Sequence, residues 1–396
     1  MVPHDEAMLT STAPLAKTAA VASVARLLKQ VLPPFICFVL SRALLHTAAI
    51  STQNDPFEAD TWSRWDSYQY ISIAATGYGF RSCAGLDGYD PNDWCGNDAW
   101  LPGYSYLIKA VTAVTSLTYA EAGISISAAF AFASLLLVWI GFLGATVTPH
   151  NVLVLLLAAF FPGHVYDHAV FPIALFTFLV LLSLWLYSRR DFRLAGLCAA
   201  AAAFSYSSGL FLCGAFVLQA FVGARGRLRE MPLRTLAFPC GGVLLGFSLA
   251  LLLQWVQTGV WNAFFLVQSK YAYSPRLPFE AWQSSLLLLL THWPNPDGAD
   301  AQTIFVAAMC MLMFVYFIKR QSVKRLDVLL MSFTLIYWLV PITLGGKLSL
   351  YRAEATLLPG VPLARRVPWP ILAALVCIAI RLSWKMARAF FAGRIM

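Results

Sequence analysis

Apolar residues occur along this chain in long blocks that are separated by short polar or basic segments. The first block, 31–50, is long enough for a membrane-spanning helix, which needs about 20 residues. The blocks at 151–187 and 194–222 are longer and are interrupted by polar stretches at 160–172 and 205–209. Irregular backbone at membrane depth is tolerated where protein or a water-filled cavity surrounds it. Each of these two blocks therefore predicts a pair of short helices joined by an irregular tip.

The whole pattern predicts an all-α integral membrane protein with about ten transmembrane helices, some of them short or broken. We expect a cytoplasmic N-terminal arm at 1–30, with an interfacial helix at 16–29, followed by a single polytopic domain at 31–396. The predicted spans are 31–50, 122–146, a pair in 151–187, a pair in 194–222, and then 236–257, 301–318, 327–344 and 368–384. The outer segments are 51–121, 258–300 and 345–366, and the first of them includes surface helices such as 101–118.

Composition supports a membrane protein and excludes a nucleic-acid partner. Hydrophobic residues make up 59% of the 396 positions, charged residues make up 12%, and the mean hydropathy is +0.69. Soluble domains are about a quarter charged. The net charge of +9 comes from short Lys and Arg runs between apolar blocks, which is the pattern that places those runs in the cytoplasm. The basic runs lie near 189–193, 225–234, 319–325 and 385–394.

Acidic residues collect in the first part of the first outer segment, 51–100, which holds eight of the nineteen in the chain. They are Asp55, Glu58, Asp60, Asp66, Asp87, Asp90, Asp93 and Asp98. Cys83 and Cys95 fall in the same segment, and in an oxidising compartment they would form a disulfide; free thiols are the alternative. The other six cysteines lie in apolar blocks, where we expect them to pack, and no CxxC metal-binding spacing occurs.

Asp66 is the principal candidate for chemistry. It lies in the first outer segment beside Arg64 and Trp65, with Tyr70 one helical turn further on. A carboxylate in this position can take a proton from an incoming hydroxyl group. In the later outer segments, Lys270 and the Tyr351–Arg352 pair are candidates to bind the phosphate of a lipid-linked donor.

Further polar residues on the same side are candidate substrate contacts. They are Arg64, Trp65, Tyr70, Asp98, His164, Asp167, His168 and Gln268. Several of these candidate residues also have a purely structural alternative. Asp167 and Asp98 could cap helices, and Arg64 could pair with a neighbouring acid. Lys270 and Arg352 could extend to the membrane surface. A metal site at His164, Asp167 and His168 is a further alternative, but we predict neither a metal nor a cofactor.

Four stretches resemble the GPI mannosyltransferase II (PIG-V) family. Residues 64–78 carry the Trp-Asp, aromatic, Ile-Ala and Gly-Tyr elements of its first motif, and 100–108 are similar to the aromatic and proline-rich run that follows. Residues 161–171 are similar to a third region, with Asp167 where a Glu is usual. Tyr351 and Arg352, with Pro359 downstream, resemble the C-terminal Arg-Tyr element in reversed order.

The resemblance implies a GT-C glycosyltransferase with a large first outer loop and a catalytic acid at Asp66. It implies a polyprenyl- or dolichyl-phosphate sugar donor, most simply of mannose, and transfer with inversion to a glycolipid, polysaccharide or protein hydroxyl. The short outer loops are similar to those of prokaryotic members, which implies the bacterial plasma membrane with the site facing the periplasm or exterior; the lumenal face of the endoplasmic reticulum is the alternative. A transporter or flippase of lipids or lipid-linked sugars is the alternative function, because broken helices with polar tips occur there too.

Overall fold

The computed structural model describes residues 13–271, 275, 277–292, 298–319, 324–344 and 350–394, with side chains from residue 27 onward. Helices dominate this part of the chain, and one short antiparallel hairpin is present. The helices are α1 (Ala13–Ser51), α2 (Ala59–Trp62), α3 (Ser67–Thr76), α4 (Pro102–Val114), α5 (Tyr119–Leu137), α6 (Pro149–Ala159), α7 (Ile173–Ser188), α8 (Phe192–Ser205), α9 (Phe211–Gly223), α10 (Leu233–Thr258), α11 (Ala263–Ser269), α12 (Pro278–Thr291), α13 (Gly298–Ile318), α14 (Arg325–Leu344), α15 (Leu350–Ala355) and α16 (Trp369–Phe391). The strands are β1 (Phe80–Ser82) and β2 (Trp94–Gly96).

The molecule is a membrane-embedded, multi-pass helical protein. Within the described residues, six helices are long and apolar enough to cross a membrane. They lie at Leu27–Ser51, Tyr119–Phe142, Leu233–Thr258, Gly298–Ile318, Arg325–Leu344 and Trp369–Phe391. Four shorter apolar segments, Pro149–Ala159, Ile173–Ser188, Phe192–Ser205 and Ser207–Gly223, complete the set.

Helix α1 begins earlier than the sequence pattern predicts. It runs without interruption from Ala13 to Ser51, although Pro33 and Pro34 lie inside it. Residues 13–30 therefore continue into the predicted first span as one helix. Ala, Leu and Lys are frequent in this stretch, and these residues have high helix propensity.

The two interrupted blocks form broken helix pairs, as their polar tips predict. Helices α6 and α7 are separated by a 3₁₀ turn at His164–Asp167, and α8 and α9 by one at Ser207–Leu210. Gly163 precedes the first turn with a φ of 83°, a conformation that glycine adopts without steric cost. A Cβ atom there would also lie 2.8 Å from the Cβ of Ala355, so the glycine lets α15 approach the break.

Close contact between α8 and α10 depends on small residues. A Cβ atom on Gly242 would lie 2.1 Å from the carbonyl oxygen of Gly196, and one on Gly246 would lie 2.0 Å from that of Ala200. The four residues form facing small-xxx-small pairs, which allow helix backbones to approach closely in membranes. This contact fixes α10 against the broken α8–α9 pair.

The polar segment between α1 and α5 folds into α2, α3, the β1–β2 hairpin and α4. Cys83 and Cys95 are joined by a disulfide across the hairpin. Helix α4 corresponds to the helix predicted at 101–118, and it packs against α3, α5 and α8. The segment thereby holds α3 against α4 and α5.

Candidate functional site

Asp66 occupies the N-cap position of α3, but its side chain does not cap the helix. An N-cap Asp normally accepts hydrogen bonds from the first turn of its own helix. Here Ser67 Oγ accepts a hydrogen bond from the backbone N–H of Arg64 at 3.1 Å, and the Asp66 carboxylate points elsewhere. The preceding residue, Trp65, has a φ of 46°, which is a strained conformation for a bulky side chain and is typical of functional sites.

The Asp66 carboxylate forms an ion pair with Arg352 of α15, from Nη1 to Oδ2. The Arg352 side chain is 14% exposed and that of Asp66 is 27% exposed. The guanidinium also lies 5.9 Å from the centre of the Phe171 ring. Asp66 was predicted to act on the acceptor hydroxyl and Arg352 on the donor phosphate, and the two side chains are in direct contact in this structure.

Packing around α15 fixes the position of Arg352. The rings of Tyr351 and Tyr166 stack with their centres 6.0 Å apart. Gln302 of α13 donates through Nε2 to the Tyr351 carbonyl and to Glu354 Oε2, each at 2.9 Å. Gln302 and Glu354 are both buried, and the sequence analysis did not select them. The only signal in the sequence was that Glu354 lies two residues from Arg352.

Residues near the ion pair are held in place by aromatic packing. Trp65 packs edge-on against Phe390 of α16 at 5.2 Å, and buried Tyr70 packs edge-on against Tyr104 at 5.6 Å. Tyr104 is held in turn by a 2.8 Å hydrogen bond to the Gly123 carbonyl. Tyr70 therefore belongs to the packed support of the site rather than to its open surface.

Arg64 lies beside Asp66 but has a separate partner. Its Nη2 donates to Asn54 Oδ1 at 2.9 Å, and Asn54 Nδ2 donates to the Phe391 carbonyl at 3.1 Å. This chain of contacts ties the loop before α3 to the end of α16. The partner of the Arg64 guanidinium in this contact is thus a neutral amide and not a carboxylate.

An open cleft of about 1000 Å³ lies between α3 and the hairpin. Gln69, Ser72 and Thr76 line it from one face of α3, and Asp66 precedes Gln69 by three residues, which is the spacing of neighbours on a helix face. Asp87, Asp90 and Asp93 line the opposite side. Asp66 lies one turn before Gln69 in the chain, but neither Asp66 nor Arg352 is among the residues that line the cleft.

Lys270 lines the cleft rather than the Asp66–Arg352 pair. Its ammonium lies 5.4 Å from the ring centres of both Tyr89 and Tyr271. Partial burial lowers the pKa of Lys270, and the nearby Asp93 opposes that shift. Gln268, two residues earlier, donates a hydrogen bond to the Ala99 carbonyl at 3.1 Å, so it links α11 to the loop before α4.

Asp98 is fully buried behind the cleft. Neither carboxylate oxygen has a hydrogen-bond partner among the described residues. Burial raises the pKa of Asp98 to about 6. Gln254 Nε2 donates to the Asp98 backbone carbonyl at 2.8 Å, and Asp98 lies in the turn between β2 and α4 without capping that helix.

The structure places His164, Asp167 and His168 in the α6–α7 break, around a separate small cavity. His168 Nδ1 lies 3.3 Å from Nη1 of Arg42 in α1, and Arg42 also stacks over Trp62 at 4.0 Å. The sequence analysis did not select Arg42, although a cation within an apolar span is itself a signal of function. In the described part of the chain, no three His, Cys, Asp or Glu side chains are grouped as metal ligands.

No protein-family model matches the chain, and no curated protein matches it significantly. The chemistry of the site therefore has to be inferred from its own residues.

Proposed function

We propose that the protein is a membrane glycosyltransferase of the GT-C type. It transfers a hexose, most simply mannose, from a polyprenyl or dolichyl phosphate to the hydroxyl group of an acceptor. Asp66 is the general base and Arg352 binds the phosphate of the donor. The reaction inverts the configuration at the anomeric carbon.

The partly buried Asp66–Arg352 ion pair supports this proposal most directly. A base and a phosphate-binding cation must lie within one substrate's length for a glycosyl phosphate to react between them. The strained Trp65 and the absence of a capping role for Asp66 show that local folding does not account for this arrangement. Arg352 suits a phosphate because its planar fork donates two parallel hydrogen bonds.

The reaction balances with these two residues. The acceptor oxygen attacks the anomeric carbon while its proton passes to Asp66, and the bond between that carbon and the phosphate oxygen breaks. The lipid phosphate leaves with two negative charges, and Arg352 stabilises the charge as it develops. Oδ2 of Asp66 faces Arg352, so Oδ1 is the oxygen that receives the proton. No metal or cofactor has a role in this proposal.

The cleft is the proposed acceptor site. Its volume of about 1000 Å³ is large enough for several sugar rings, and its polar lining offers carboxylate, amide and hydroxyl partners. Lys270 and the exposed Tyr89 ring provide a cation and an aromatic face within the same cleft. A glycolipid, a polysaccharide or a protein hydroxyl fits this chemistry.

The proposed membrane arrangement counts ten spans. Six long apolar helices and four shorter ones add to that number, and the basic runs between them place the first polar segment on the side away from the cytoplasm. In a bacterial plasma membrane this side is the periplasm or exterior, and in the endoplasmic reticulum it is the lumen. Within this arrangement, the Cys83–Cys95 disulfide lies on an oxidising side.

The test is sugar transfer from synthetic short-chain polyprenyl-phosphate mannose by the purified protein. We expect Asp66→Asn to lower the rate by about 10²–10⁴-fold, the usual contribution of general base catalysis, while donor binding persists. Asp60→Asn is the matched control, because Asp60 is an exposed acid in the same segment. Undiminished transfer by Asp66→Asn would exclude Asp66 as the base.

Two broken helix pairs favour a second candidate, a transporter of lipids or lipid-linked sugars. Reconstituted protein would then move a fluorescent polyprenyl-phosphate sugar across vesicles without cleaving it. Movement without transfer or hydrolysis, unaffected by Asp66→Asn, would favour this candidate. Cleavage of the donor that depends on Asp66 would exclude it.

A further inference from the structure

The break between α6 and α7 encloses a cavity of about 20 Å³. Helices α1, α5 and α7 and the α6–α7 break all contribute polar residues to its lining. The polar residues are Ser41, Ser134, His164, Asp167, His168 and Thr177. The cavity is large enough for one occupant of the size of a water molecule.

Several buried polar atoms around this cavity have no hydrogen-bond partner among the described residues. They are Ser134 Oγ, Asp167 Oδ1 and Thr177 Oγ1. All three side chains are at most 5% exposed. Buried polar groups are nearly always bonded, and an unpaired group costs free energy. Their convergence on one cavity indicates that the cavity holds an occupant that bonds to them.

Two features favour a positively charged occupant. Asp167 forms no ion pair with any described cationic side chain, and a cation in the cavity would stabilise its ionised form. Helix α6 ends at Ala159, and Ala158 and Ala159 line the cavity. The C-terminal end of a helix carries partial negative charge, and such ends coordinate cations where membrane helices are broken.

The ligand set favours a monovalent ion. Hard cations prefer oxygen ligands, and the cavity offers one carboxylate together with the hydroxyl groups of Ser41, Ser134 and Thr177. A single carboxylate balances a single positive charge. The described residues provide no second acidic side chain in the cavity lining.

We propose that this cavity is a sodium-ion site, with Asp167 as the charged ligand and Ser134 and Thr177 as neutral oxygen ligands. The bound ion joins α5, the α6 end and α7, and so stabilises the irregular segment that packs against α15. This cavity and the cleft share no lining residue. Sodium binding therefore does not depend on the proposed glycosyl transfer.

The test measures thermal unfolding of the full chain in detergent, at constant ionic strength, in sodium, potassium or N-methyl-D-glucamine chloride. We expect a saturable rise of the transition temperature of roughly 2–4 °C that is specific to sodium, from ligand binding to the folded state. Equal transition temperatures in all three salts would overturn the proposal and leave a bound water as the occupant.

Substitutions in the cavity lining test whether the sodium-dependent rise of the transition temperature comes from this cavity. Asp167→Asn and Thr177→Val should each abolish the sodium-dependent rise. Ser183→Ala should preserve it, because buried Ser183 in the same helix as Thr177 bonds to the Ala195 carbonyl and does not line the cavity. A rise that persists in Thr177→Val and in Asp167→Asn would place the ion elsewhere and contradict the proposal. If Asp167→Asn does not fold, Thr177→Val alone decides the outcome.

Discussion

Arg352 forms an ion pair with Asp66, although the two residues are 286 positions apart in the chain. The contact joins the polar segment that follows α1 to the short helix α15, which lies between α14 and α16. Both side chains are mostly buried, so the pair is shielded from bulk water more than a surface salt bridge. A donor phosphate that binds Arg352 must share or displace the Asp66 carboxylate, which would free that carboxylate to act as a base.

A double-mutant cycle tests the energetic coupling of this pair. We expect Arg352→Gln to destabilise the protein by about 1–2 kcal/mol, between the values for exposed and buried pairs. Adding Asp66→Asn should recover part of this loss, because the double variant leaves no half-buried charge unpaired. Chemical denaturation in detergent measures the four stabilities. Additive effects of the two substitutions would show that the ion pair does not contribute to the free energy of unfolding. As a control, Asp60→Asn combined with Arg352→Gln should give additive effects.

Asp98 makes stability depend on pH. Its folded-state pKa of about 6 lies above the ordinary value, so between pH 4 and 6 the unfolded chain binds fewer protons than the folded chain at this residue. The contribution of Asp98 to the free energy of unfolding therefore decreases as pH rises through this window. We expect Asp98→Asn to be more stable than the wild type at pH 7.5, by up to about 3 kcal/mol.

The measurement for Asp98 is the difference in unfolding free energy between variant and wild type at pH 4, 6 and 7.5. The difference should be smallest at pH 4 and grow with pH, whereas Asp60→Asn should show no such trend. A difference that is constant across this range would contradict a raised pKa for Asp98.

Thiol labelling tests the Cys83–Cys95 disulfide. In denatured protein prepared without reductant, six of the eight cysteines should react with N-ethylmaleimide, and all eight after reduction. Mass spectrometry counts the added groups. In the chain-entropy model, closing a loop of this length constrains the unfolded state by about 3 kcal/mol. The double variant Cys83→Ala, Cys95→Ala should therefore unfold at lower temperature, and its loop should be cut faster by protease.

The α8–α10 contact should be sensitive to single methyl groups. Gly246→Ala would place a Cβ atom 2.0 Å from the Ala200 carbonyl oxygen, and the helices would have to separate. We expect a loss of about 1–3 kcal/mol, which is typical of overpacking, measured by thermal unfolding in detergent. Gly241→Ala is the matched control, because its Cβ atom would meet nothing within 4 Å. Equal effects of the two substitutions would contradict close packing at Gly246.

Hydrophobic blocks in the sequence predicted most of the helices. The broken pairs at 151–187 and 194–222 were recognised because polar residues interrupt apolar stretches that are too long for one span. A helix at 16–29 and a span at 31–50 were predicted as separate elements, whereas α1 runs through both as one helix. Asp66 was selected from its local neighbours, before any partner was known.

The sequence by itself determined that this chain is a helical membrane protein, because burial in lipid requires long apolar segments whose backbone bonds are satisfied internally. It also indicated which polar residues stand out against that background. Only the tertiary structure decided which of them meet. Asp66 meets Arg352, Lys270 faces the cleft, and His164, Asp167 and His168 surround a separate cavity. The physical reason is that such contacts depend on helix packing between distant segments, and no local pattern encodes the partner of a side chain 286 residues away.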